Sequence, residues 1–241
     1  MSPLPPAAPR SLRVVELFGP SSAGKSSLAR SLVAGERGGR FVLHEDRILG
    51  SVGLGWLRPP LLRTLAVDAL AALEVIASHR RERAGYRAAA AQALRGAGPR
   101  SLTQRLFLLR NAWKAVALLR LAARVARPGE IVLMDEGPLQ TAHYLFVHAD
   151  VPPAKAALDA YLAALALPDA ALYVRGSLDE LVARTLVRTH VRLPAGSREE
   201  ASRFVGHALE VFDRVAAEPR VRERLVTLEA LVGEPGCEAC A

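Results

Sequence analysis

This 241-residue sequence predicts an α/β fold in which a parallel sheet is layered between helices, and three observations carry that prediction. Short apolar runs (LRVVELF, IVLM, AALYV) alternate with longer stretches of helical character. Two of the runs stop at residues that suit strand ends, Gly19 and Asp135. The chain is 51% apolar and 23% charged, which suits a single large globular domain with its own core. Strands that alternate with helices pair in parallel through right-handed crossovers.

The elements follow in order. Leu12 to Phe18 is a β-like run, and a helix is expected from Lys25 to about Ala34. Phe41 to His44 reads as a second strand. From Pro60 to Arg127, Ala, Leu and Arg dominate in a long helical pattern, broken at Gly96 to Pro99. Ile131 to Met134, bounded by Gly129 and Asp135, has the continuous apolar character of a buried parallel strand. A helix begins near Pro138, and Pro152 to Leu167 is a further helix with Pro at its start. Ala170 to Val174 is a fourth strand, after which Ser177 and Glu180 have the spacing of a capping box. The loop around Pro194 to Gly196 precedes a helix from Ser197 to about Ala217, and Arg224 to Leu228 is expected as a fifth strand.

Composition excludes several classes. Both cysteines, Cys237 and Cys240, lie in the last five residues, so a disulfide framework is out and a reducing cytoplasmic setting is expected. The pair has half a metal site's spacing with no second pair nearby, so it reads as tail. The longest stretch without Asp, Glu, Lys or Arg runs from Gly137 to Ala149, too short for a membrane span. The Pro-rich start lacks the pattern of a signal peptide and reads as a disordered leader over residues 1–10. Net charge is +8, and of 32 basic residues only Lys25, Lys114 and Lys155 are lysines. With aromatics at 5% and arginines spread along the chain, a nucleic-acid partner is not expected. Trp56, Tyr86, Trp113 and Tyr144 read as core or as a stacking ring for a substrate.

Gly19-Pro-Ser-Ser-Ala-Gly-Lys-Ser26 fits G-x-x-x-x-G-K-[ST] in full, between an expected strand and an expected helix. Gly19 and Gly24 allow backbone conformations that turn successive N–H groups toward a polyphosphate, and the helix start adds its positive dipole end. Ser21, Ser22, Ala23 and Ser27 complete the candidate nucleotide contacts. Lys25 supplies a cation for the β- and γ-phosphates, and the Ser26 hydroxyl can ligate Mg²⁺. Asp135, at the end of the IVLM strand, is the candidate for the opposite side of the metal, with Glu136 open as its substitute. His44-Glu45-Asp46 closes the second strand. Asp46 is the favoured general base for an acceptor hydroxyl, Glu45 the reserve, and a simple helix cap stays open. Arg184, Arg188 and Arg192 recur every four residues and are candidates for a lid that delivers cations to a transferred phosphoryl group.

These residues resemble the P-loop kinases of the nucleoside monophosphate kinase superfamily. The anchors are GPSSAGKSS, VLHED, IVLMDEG and LYVRGSLDELVARTLVRTHVR, the last similar to the lid segment of thymidylate and adenylate kinases. The serine-rich loop followed by FVLHED also resembles the chloramphenicol phosphotransferase family, in which a strand-end aspartate serves as base and Asp46 holds the matching position. The resemblance implies a P-loop NTPase three-layer sandwich with a five-stranded parallel sheet in the order 2-3-1-4-5. One departure bears on the acceptor: nucleotide kinases commonly follow the third-strand acid with Arg, and this chain has Glu136 there.

The expected organisation is a domain over residues 11–232, with a helical insertion at 60–127 walling a substrate pocket, a lid at 184–198 and a tail at 233–241. The expected activity is transfer of the γ-phosphate of ATP, with Mg²⁺, to a small-molecule hydroxyl. A thymidylate-like kinase and an ATPase or nucleotide-gated binding module are the alternatives, and assembly as a homodimer stays open.

Overall fold

A computed structural model describes residues 12–35, 40–77, 102–188 and 197–232. The elements in chain order are β1 (Val14–Phe18), α1 (Lys25–Ala34), β2 (Phe41–Leu43), α2 (His44–Ser51), α3 (Pro60–Ala77), α4 (Leu102–Val125), β3 (Ile131–Met134) and α5 (Pro138–Phe146). They are followed by α6 (Lys155–Ala164), β4 (Ala170–Tyr173), α7 (Leu178–Val187), α8 (Arg198–Ala217), α9 (Pro219–Arg222) and α10 (Leu228–Val232). Arg192, Tyr86, Cys237, Cys240, the 96–99 break and the 194–196 loop lie outside the described residues.

The sheet is parallel, in the order β2-β3-β1-β4. Among the described residues four strands stand where five were expected. At the fifth position a single parallel bridge joins Ala171 to Leu225, with Ala171 N donating to Arg224 O at 2.8 Å and Val226 N to Ala171 O at 3.0 Å. α9 ends at Arg222 and α10 begins at Leu228, so too little extended chain is left between them to build a ladder.

Side chains on a strand alternate between faces, and β1 divides accordingly. Val15 and Leu17 point to one side and pack with Ala29 of α1, Leu133, Leu172 and Leu231 of α10. Val14 points to the other side, onto Ile48, Val67 and the α4 residues Leu118 and Ala122. Phe18, on that same side, packs with α5 and α8. Helices thus cover both faces, which is why every β1 residue is buried and the run needs no polar alternation.

Several boundaries differ from expectation. The second strand stops at Leu43, and His44 already opens α2. The helix expected from Pro152 starts at Lys155. The capping box at Ser177 forms, with Ser177 Oγ accepting from Glu180 N and Glu180 Oε2 from Ser177 N. Ser197 and Glu200 make a second one at the head of α8. The stretch expected as an insertion divides in two roles. The second half of α4 is core, with Ala117, Leu118 and Ala122 buried, whereas Leu102, Leu106 and Phe107 in its first turns are more than half exposed. No helix among the described residues is long and apolar enough to cross a membrane.

α3 and α4 are tied by an ion pair whose acid is buried: Arg124 donates to both carboxylate oxygens of Glu74 at 2.9 Å. Arg124→Ala should strand that carboxylate and lower stability by about 1–3 kcal/mol in urea unfolding. The double change Glu74→Met with Arg124→Leu should recover most of the loss, because an apolar pair leaves no charge to desolvate.

Candidate functional site

β1 ends at Phe18, and the Gly19–Ser26 loop leaves the carboxyl edge of the sheet to start α1 at Lys25. Gly19 has φ +146°, and a Cβ there would lie 2.2 Å from the Val174 carbonyl oxygen, so only glycine fits. Ser22 (φ +65°) and Gly24 (φ +94°) are also left-handed. Gly24 caps α1 with no side-chain bond, which leaves the first amides of the helix without a competing acceptor.

Lys25 folds back into this loop, its Nζ donating to the Gly19 and Pro20 carbonyls, both at 2.8 Å. Desolvation lowers its pKa to about 8, the charges of Asp135 and Glu136 oppose the shift, and Arg188 adds to it. Three expected partners therefore act on one amine. Glu136 is raised, first by desolvation and then by Asp135 and Glu45, against Lys114 and Lys25. Glu136 is an exposed residue within electrostatic reach of Asp135, Glu45, Lys114 and Lys25.

The HED segment sits differently from expectation. Because α2 starts at His44, successive side chains turn about 100° around a helix axis instead of alternating across a strand. Asp46 makes an ion pair with Arg63 of α3. Glu45 is the one whose charge acts on both Glu136 and His44. His44 is buried and its pKa is lowered, chiefly by desolvation, with Glu45 and Asp135 opposing.

Of the lid arginines, Arg184 and Arg188 lie exposed at the end of α7, and only Arg188 acts on Lys25. The helix that carries them reaches the loop through buried Thr185, whose hydroxyl donates to Ser22 Oγ at 3.4 Å. Ser26 and Ser27 are exposed on the first turn of α1. Trp56 is 68% exposed, whereas Trp113 lines a cleft of ≈ 380 Å³ between α3 and α4, with Ala71, Val75, Leu109 and Lys114.

Sequence reasoning missed four participants. Lys114 pairs with Asp68 at 2.7 Å and acts on Glu136 and His44, and its signal was its rarity among arginines. Glu16 is buried in the middle of β1, and its signal was a charge inside an apolar run. Gln140 and His143, one turn apart on α5, face the loop: Gly19 N donates to Gln140 Oε1 at 3.0 Å, and Ser21 Oγ shares a 2.9 Å hydrogen bond with His143 Nε2. Nothing in the sequence singled out those two.

Residues for a Mg²⁺–nucleotide fit this arrangement. Ser26 and the Asp135–Glu136 pair are a hydroxyl and two acids, the sparse oxygen set on which Mg²⁺ is held when phosphates and waters complete its shell. Among the described residues no group of three or more His, Cys, Asp and Glu side chains is placed to hold a metal ion.

Burial raises Glu16 from 4.5 to about 8. The folded chain therefore keeps a proton that the unfolded chain releases near 4.5, and this contribution to stability, complete below that pH, is lost as pH rises toward about 8. Wild type should lose up to about 1.4 kcal/mol per pH unit across that window relative to Glu16→Gln, measured by urea unfolding at several pH values. Separately, Gly19→Ala should lower stability in urea unfolding by about 1–3 kcal/mol, since the loop must move off the Val174 carbonyl.

Set against known proteins, the chain matches no family model, no curated protein and no solved structure, so its functional reading rests on this geometry.

Proposed function

We propose that the chain is an ATP-dependent phosphotransferase that uses Mg²⁺ and transfers the γ-phosphoryl group to a hydroxyl on a small, largely apolar acceptor. The observation that carries this reading is the Gly19–Ser26 loop, with the Lys25 amine folded into it and the Asp135–Glu136 pair acting on that amine. Lys25 already lies among backbone carbonyls that a polyphosphate would replace as its partners. Loop amides from Gly19 to Ser27 and the head of α1 would hold the phosphates. Bound Mg²⁺, held by Ser26 and Asp135 or Glu136, would offset charge on the β- and γ-oxygens.

Glu45 is taken as the base in place of Asp46, because its charge acts on Glu136 and His44 whereas Asp46 is committed to Arg63. The acceptor's O–H bond would break with its proton moving to the Glu45 carboxylate. The same oxygen would bond phosphorus as the bond to the β-phosphate oxygen breaks, releasing ADP. Arg188, with Arg184 and Arg192, would meet charge growing on the transferred group. The cleft between α3 and α4 supports an apolar acceptor, since Ala, Val, Leu and Trp dominate its lining and Lys114 at its wall also acts on Glu136. A cytoplasmic setting belongs to the same reading.

An ADP-release screen over nucleosides, nucleotides and hydroxylated natural products tests it. Acceptor-dependent turnover is expected in wild type. Lys25→Ala should lower turnover about 10²-fold or more in a folded protein. Glu45→Gln should lower it about 10²–10⁴-fold with ATP binding retained, and Asp46→Asn should not. ATP turnover indifferent to every acceptor would point to an ATPase. Arg188→Ala should depress kcat far more than it raises the KM for ATP, and a change confined to KM would remove it from the transition state.

A further inference from the structure

We propose that Glu16 is a positioning residue for the Gly19–Ser26 loop and acts through α5: its carboxyl fixes the first turn of that helix, and Gln140 in the same turn holds the Gly19 amide. The inference rests on reading that loop as a phosphate loop and adds a part that reading does not contain.

Glu16 shares the Val14–Phe18 face of β1 and is fully buried against the start of α5. A leucine of similar size would satisfy packing alone, so the carboxyl needs another reason. α5 supplies one. Its N-cap, Gly137, has no side chain to accept from the first helical amides, which are otherwise orphaned. Glu16 Oε1 accepts from Gln140 N at 2.8 Å, while Oε2 is buried with no hydrogen-bond partner. A side chain from the neighbouring strand thus caps the helix in place of the residue before it.

The fit is tight on the other side. A Cβ on Gly137 would lie 2.4 Å from Glu16 Cδ, so the absence of a side chain at 137 makes room for the carboxyl. Gln140 then serves at both ends: its amide donates to Glu16, and its side-chain Oε1 accepts from Gly19 N at 3.0 Å. One turn further along α5, His143 holds Ser21. The first residue of the loop and its first serine both hang on a helix whose start Glu16 sets. Burial keeps Glu16 protonated at neutral pH, so glutamine is its match in shape and charge.

Amide hydrogen exchange at Gly19, read on the full chain without nucleotide, tests the relay, and titration with MgATP tests the loop's role separately. Glu16→Leu, Gln140→Leu and Gly137→Ala should each speed Gly19 exchange about tenfold or more and weaken MgATP about tenfold, the worth of one lost hydrogen bond. Glu16→Gln should stay within about threefold of wild type on both measures, a rescue that mere loss of core packing would not produce. A folded Glu16→Leu protein with Gly19 exchange unchanged would overturn the proposal. If that variant does not fold, unchanged exchange in Gln140→Leu or Gly137→Ala would overturn it equally. Wild type that fails to bind MgATP while Gly19 exchange responds as described would sink the nucleotide reading and leave the relay standing.

Discussion

Parallel pairing of β1 with β3 on one side and β4 on the other is the constraint on which the candidate site depends. Glu16 lies beside Met134 and Phe18 beside Tyr173, so all three strands finish at one edge. Asp135 is the next residue beyond β3, Gly19 the next beyond β1, and His44 with Glu45 follows β2, itself paired to β3. A slip of one residue would turn Val15 and Leu17 away from α1 and Glu16 away from Gln140, so specific packing on both faces holds the register. The charged groups at the edge are brought together as a consequence of packing that none of them contributes to.

Burial also sets the electrical character of the site. Lys25 is pushed down by desolvation and held up by the charges of Asp135 and Glu136. Glu136 is pushed the opposite way by the same desolvation and by its acidic neighbours. A cation and two acids thus lie within electrostatic reach of one another at the carboxyl edge of the sheet. Lys114 enters this balance from α4, the helix that also walls the apolar cleft, and so links that cleft to the charged groups at the sheet edge.

α5 has a structural part in the site that its sequence does not advertise. It holds the loop through Gln140 and His143, packs through Leu139, Ala142 and Leu145 in the largest core cluster, and has Tyr161 of α6 donating to its Pro138 carbonyl at 2.7 Å. The loop is thus anchored to the core from the side opposite α1. Thr185 adds a contact from α7, which ties the helix of Arg184 and Arg188 to Ser22.

The sequence by itself determined the features that depend on neighbouring residues. The spacing of Gly19, Gly24, Lys25 and Ser26 prescribed a turn that only glycine can make and a helix that begins at a lysine, both of which are local backbone chemistry. The apolar runs at β1 and β3 and the Ser177–Glu180 box were legible for the same reason. Tertiary structure decided the rest. That Asp46 pairs with Arg63 while the charge of Glu45 acts on Glu136 and His44 turned on α2 starting at His44 and on a side chain from another helix. The fifth strand shrank to one bridge because two helices took the chain on either side of it. Glu16, Gln140 and His143 form one hydrogen-bonded set only once β1 and α5, more than a hundred residues apart in the chain, are packed together. No sequence period encodes such contacts, because they are made between elements and decided by what each buries.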